Sequence, residues 1–74
     1  MEKRGVMDFT VLLEKDSEGW FVAKVPDLPG CHTQGKTVEQ ALERINEAIT
    51  AYIVPGVKIE QMEFIGAHKV QVAV

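Results

Sequence analysis

Gly35-Lys36-Thr37-Val38-Glu39-Gln40-Ala41-Leu42-Glu43-Arg44-Ile45 is the stretch that decides the fold, because here a chain patterned for strands becomes one patterned for a helix. Thr37 can accept a hydrogen bond from the backbone of the first turn while Gln40, three residues on, reaches back to the Thr37 amide, which makes a capping box. Val38, Ala41, Leu42, Ile45, Ala48, Ile49 and Tyr52 follow at helical spacing, with Glu39, Glu43, Arg44 and Glu47 on the wet side. The pattern predicts a helix to about Ile53, roughly 24 Å long at 1.5 Å per residue. Pro55-Gly56 ends it.

N-terminal to this stretch the apolar period is two. Val6 to Glu14 reads as a strand with Met7, Phe9, Val11 and Leu13 toward the core and Asp8, Thr10, Leu12 and Glu14 on the other face. Lys15 to Gly19 supplies a turn in which Gly19 takes positive φ without steric cost. Trp20 to Val25 is a second strand: Phe21, Ala23 and Val25 face the helix, leaving Trp20 and Val22, with Leu12, as a smaller apolar surface. Pro26-Asp27-Leu28-Pro29-Gly30 breaks the ladder, since neither proline can donate to it and Gly30 permits a sharp change of direction. Cys31 to Gln34 forms a short third strand at an edge, and Gly35 leads into the helix.

Beyond the helix, Val57 to Glu60 and Met62 to Ile65 read as short strands or an extended connection, and Gly66-Ala67 as a turn. His68 to Val74 alternates again, with Val70, Val72 and Val74 on one face, and is expected to be a last strand. The expected fold is therefore α+β: a two-layer β-β-β-α-β domain over residues 1–74, an antiparallel meander plus one helix and a final strand. One helix cannot cover both faces of such a sheet. Leu12, Trp20 and Val22 mark the uncovered face as an expected interface, because contiguous exposed apolar surface usually meets another molecule.

The chain has 74 residues and a mass of 8.2 kDa. Folded compactly it would expose about 4,500 Å² of the roughly 12,000 Å² of its extended form. So thin a margin is often widened by self-association, and a homodimer or homotetramer is expected. Eight Lys and Arg against eleven Asp and Glu give a net charge of -3, with no basic cluster beyond Lys3-Arg4, so direct nucleic-acid binding is not expected. The single cysteine rules out an internal disulfide, the N-terminus lacks an apolar leader, and no stretch approaches the roughly 20 apolar residues of a membrane helix. A cytoplasmic location, away from membranes, is the expectation.

Catalytic readings find little support. Cys31 and His32 are adjacent in a strand, so their side chains diverge. Cys31, His32 and His68 lack the short spacing of a metal site. Asp8 with Glu43 or Glu47 would be one seat for Mg²⁺-assisted phosphoryl hydrolysis, but the final strand offers no carboxylate to complete it. Trp20 as a base-stacking platform is opposed by Glu14, Asp16 and Glu18 around it. Neither a catalytic residue nor a metal or cofactor is expected.

The run from Glu14 through Gly19-Trp20-Phe21-Val22-Ala23, then Val25-Pro26-Asp27-Leu28-Pro29-Gly30-Cys31, Thr33-Gln34-Gly35-Lys36-Thr37 and Glu39-Gln40-Ala41, resembles the signature of the HicB-like antitoxin domain. The resemblance extends from Asp8 to Tyr52. It implies a truncated ribonuclease H-like fold whose last strand lies beside the first, and a role in binding and occluding a small basic HicA-type mRNA-cleaving toxin. It also implies that Gly19, Pro26, Asp27, Leu28, Pro29, Gly30, Gly35, Thr37 and Gln40 are structural. Fuller members of the family add a C-terminal DNA-binding segment, which this chain, ending at Val74, is expected to lack. The alternatives are a homo-oligomeric binding or structural module with a different partner, and a divergent metal-dependent nuclease.

Overall fold

The computed structural model describes residues 7–56 and 58–74. Three strands, β1 (Leu12–Lys15), β2 (Phe21–Lys24) and β3 (His32–Gly35), are followed by one helix, α1 (Val38–Tyr52). The sheet order is β1-β2-β3 with both pairings antiparallel, so β1 and β3 are the edges. The helix lies over β3 and β2 and barely reaches β1.

Register explains the two faces. Leu13 pairs with Ala23 and Ala23 with Thr33, which puts this row under the helix. The rows Leu12–Lys24–His32 and Glu14–Val22–Gln34 point the other way. The core gathers Ala23, Val25, Leu28, Cys31, Ala41 and Ile45, with Phe9, Val11, Phe21, Ala48 and Ile49 packed at its margin. Leu28 and Ile45 are its largest fully buried side chains.

The β-β-β-α order agrees with the sequence pattern, and the helix occupies the expected span with Thr37 as its N-cap and Ile53 as its C-cap. Three differences are instructive. First, Val6 lies outside the described residues, and β1 begins only at Leu12. Continuing the register would set Val11 against Val25 and Thr10 against Pro26, and Pro26 lacks the amide that the ladder toward β1 needs next. Phe9 and Val11 still pack on the core, so this segment keeps its apolar role and loses its ladder.

Second, Leu42 and Ile45, equivalent by spacing, are not equivalent in space: Ile45 is 2% exposed and Leu42 41%. Helix α1 is displaced toward β3, so the stripe on the β1 side faces an open groove whose other wall is Met7 to Val11. Third, residues 58–74 contain no strand. Val57 lies outside the described residues, and His68 to Val74 is exposed throughout and unpaired. Alternation supplies the propensity for a strand, but a strand exists only where a second ladder receives its hydrogen bonds.

Candidate protein-interaction surface

The β1–β2 turn is organised by a single carboxylate. Oδ1 of Asp16 accepts from the amides of Glu18 and Trp20, both at 2.9 Å, while the Asp16 amide donates to the Trp20 carbonyl at 2.9 Å. Gly19, at φ 93°, takes the left-handed position this closure requires. The turn fixes where Trp20 enters β2. Asp16 three residues before a glycine is an Asx-turn signal legible in the sequence.

The β2–β3 connection is a plug rather than a loose loop. Leu28 donates to the Val25 carbonyl at 3.1 Å and Cys31 to the Leu28 carbonyl at 2.9 Å. This double reversal drives the Leu28 side chain into the core, where it is 1% exposed. Pro26 and Pro29 stay at the surface. Asp27 is half-buried and accepts from the Met62 amide at 3.1 Å, which ties the segment after the helix to this connection.

Gly35 is where helix and sheet come closest. A Cβ placed on it would stand 2.7 Å from the Ala41 nitrogen and 3.1 Å from the Ala41 Cα, so any side chain would push the first turn of α1 away from β3. Thr37 Oγ1 accepts from the Gln40 amide at 3.0 Å. The return bond differs from the expected one: Gln40 Oε1 accepts from the Lys36 amide at 2.7 Å, not from Thr37. Shifting it by one residue ties the helix to the strand-to-helix linker. Arg44 adds a further strut, donating to the Gln34 carbonyl at 2.9 Å. Nothing in the sequence marked Arg44, since its partner lies ten residues away and is set by how the helix lies on the sheet.

These elements together place Leu12, Trp20 and Val22 on the sheet face turned away from α1. All three are half-buried. Glu14 and Lys24 form an ion pair of 2.8 Å on the same face, a solvated pair worth little to stability. The Lys36 ammonium stands 5.5 Å from the Trp20 ring centroid, within range of a cation–π contact. The surface is thus a small apolar patch with charges of both signs interleaved, held on a short and well-braced sheet.

The groups considered for chemistry are not brought together. Cys31 is buried, and desolvation raises its pKa above the usual thiol value, the opposite of what a nucleophile requires. His32 is exposed on the far side of the sheet. Among the described residues no group of three His, Cys, Asp or Glu is placed to hold a metal ion, and no helix is long and apolar enough to cross a membrane. Asp8 lines a groove beside α1, with Leu42, Ile49 and Asn46 opposite it. Glu43 and Glu47 are exposed.

Residues 9–72 match the model of the HicB-like antitoxins of bacterial toxin-antitoxin systems. The chain belongs to the HicB-like antitoxin family. It is 47% identical over 66 residues to a UPF0150 protein of Archaeoglobus fulgidus, covering 89% of this chain and 96% of that one. It is 57% identical over 47 residues to a UPF0150 protein of Thermoplasma acidophilum, covering 64% and 68% respectively. A UPF0150 protein of Synechocystis is 36% identical over 66 residues, 88% of this chain and 94% of that one. No solved structure matches the chain significantly.

Proposed function

We propose that this protein is an antitoxin of the cytoplasm that binds a small basic HicA-type mRNA-cleaving toxin and neutralises it by covering it. The observation that carries the reading is the family match across residues 9–72, joined to a braced sheet face that carries Leu12 and Val22 with Trp20 at the turn leading into β2. A net charge of -3 speeds encounter with a basic RNA-binding surface, while the apolar patch supplies the hold. Strand β3 is an open edge, and a partner strand can add to it through main-chain hydrogen bonds. Operator binding forms no part of the proposal, because the charge balance offers no basic patch for phosphate.

The proposal includes a truncated ribonuclease H-like topology in which residues 68–74 supply a last strand at the β1 edge. Its support is that β1 has an unpaired outer edge and that Val70, Val72 and Val74 alternate as a half-buried strand would. The test of function is co-expression of the chain with a toxin of this type, scored by growth rescue and by recovery of a stoichiometric complex. Persistent growth arrest with no complex, both proteins being folded, would refute the assignment. A second reading, a homo-oligomeric module with a different partner, is favoured by the large apolar surface left open on the single chain.

A further inference from the structure

The outer edge of β3 carries a guanidinium as well as a row of backbone groups. The Val25 amide donates to the Cys31 carbonyl at 3.1 Å, and that bond sets the phase of the β2–β3 pairing. Hydrogen-bonding direction alternates along an antiparallel strand. The backbone groups of Cys31, Thr33 and Gly35 therefore turn inward to β2, and those of His32 and Gln34 turn outward. The Gln34 carbonyl is taken by Arg44 Nη1 at 2.9 Å. Among the described residues the His32 N–H and C=O and the Gln34 N–H meet no partner.

Those groups form a frame for one more strand. In antiparallel addition an incoming residue exchanges both of its bonds with His32; in parallel addition a residue bridges the His32 carbonyl and the Gln34 N–H. In both orientations the residue set beside Thr33 points its side chain to the same face as Thr33, which is the face under α1. Arg44 reaches the strand from that side, since it is carried by α1. Its bond to Gln34 uses one arm of the guanidinium, and among the described residues it makes no ion pair.

The charge at this edge is one-sided. Cys31 to Thr37 holds His32 and Lys36 and no carboxylate, although the whole chain is at -3. Glu39 and Glu43 lie more than a quarter turn round α1 from Arg44, and Glu47, one turn on, forms no ion pair with it. Pairing β3 with a second copy of itself would set Arg44 and Lys36 of one chain against those of the other. Residues 68–74 bring Lys69 and no carboxylate. Neither suits this edge.

We propose that the β3 edge takes an extended segment of a protein partner whose residue beside Thr33 is Asp or Glu, its carboxylate held by Arg44 while the backbone around it pairs with His32 and Gln34. This rests on the reading of β3 as a strand-accepting edge and adds the chemistry of the strand that fits. Main-chain bonds hold any extended segment alike. The guanidinium selects among them, because its planar fork matches a carboxylate and repels a lysine at the same place.

The experiment needs no toxin. The full chain, labelled with ¹⁵N, is titrated to millimolar concentration with the end-blocked peptide Thr-Val-Thr-Glu-Thr-Val-Thr and with the same peptide carrying Lys in place of Glu. The expected result is saturable shifts at the His32 and Gln34 amides, an affinity about 10-fold higher for the Glu peptide, and loss of that preference in Arg44→Gln. Equal binding of the two peptides, a preference that survives Arg44→Gln, shifts centred on β1 instead, or no binding of either peptide would overturn the proposal. If Arg44→Gln loses its helix by circular dichroism, the two peptides on the unaltered protein decide alone. A toxin complex that leaves the His32 and Gln34 amides unperturbed would keep the antitoxin reading and remove this one.

Discussion

Phe21-Val22-Ala23-Lys24 and Val70-Gln71-Val72-Ala73-Val74 carry the same alternating signal, yet one is a central strand and the other lies bare. The first is paired on both sides by β1 and β3 and roofed by α1, so that Ala23 is completely buried. The second has neither ladder nor roof. The difference lies in the connections. β2 is tied to its neighbours by short turns that Asp16 and Leu28 lock, and the ordering of each turn is repaid at once by adjacent pairing. The segment after α1 is tied down only at single points, Gln61 to the Asp8 carbonyl and the Met62 amide to Asp27, with no neighbouring strand to repay its ordering. Equal strand propensity thus yields a core element where connection and partner coincide, and an exposed segment where they do not.

The sharpest test of that contrast is in the body. Ile45→Ala should lower the unfolding free energy by about 2–5 kcal/mol in denaturant titration, because the vacated space lies between helix and sheet with little room to collapse. A neutral result would mean that α1 does not dock through Ile45. Gly35→Ala should cost about 1–3 kcal/mol, since the added methyl meets helix backbone that cannot move without lifting the first turn; exchange of the α1 amides in that turn should accelerate with it. Thr37→Ala should cost about 1 kcal/mol through the lost N-cap bond, read as a shift in midpoint at unchanged slope.

Cys31 gives a pH signature. Its pKa is raised in the folded chain by burial, so the stability it contributes is complete below the unfolded thiol value and is lost as pH rises through the folded one. Unfolding titrations from neutral to alkaline pH should therefore show a decline that is smaller in Cys31→Ala, and alkylation of the native protein should be slow and accelerate only on unfolding. The smallest effect belongs to the bare segment. Val72→Thr, measured at concentrations where the chain is monomeric, should shift stability by no more than about 0.5 kcal/mol, as for exposed positions generally. A larger loss would show that residues 68–74 are part of the body after all.

Much of the body was legible because its signals are local. The capping box at Thr37, the glycine of the Asp16–Gly19 turn, the proline-flanked Leu28 and the period-two pattern of β2 each act over a few residues, and local propensity and tertiary packing agree there. Sequence alone also separated Leu12, Trp20 and Val22 from Phe21, Ala23 and Val25, since alternation fixes relative faces whatever the partner. It misassigned the return bond of Gln40 by one residue, because the Thr37 and Lys36 amides are neighbours and only the backbone path selects between them.

What the sequence by itself determined is which residues have apolar faces, where the chain turns and where the helix starts and stops, because propensity, turn chemistry and capping are set by near neighbours. Only the tertiary structure decided that α1 sits over β3 and β2 and leaves β1 uncovered, which buries Ile45 and exposes Leu42 one position round the same stripe. It alone decided that Arg44 braces Gln34, that Gly35 must be bare to admit Ala41, and that Val70 to Val74 pairs with no strand among the described residues. The physical reason is that burial and strand pairing are properties of two surfaces meeting, and a sequence specifies each surface long before it specifies which one lies opposite.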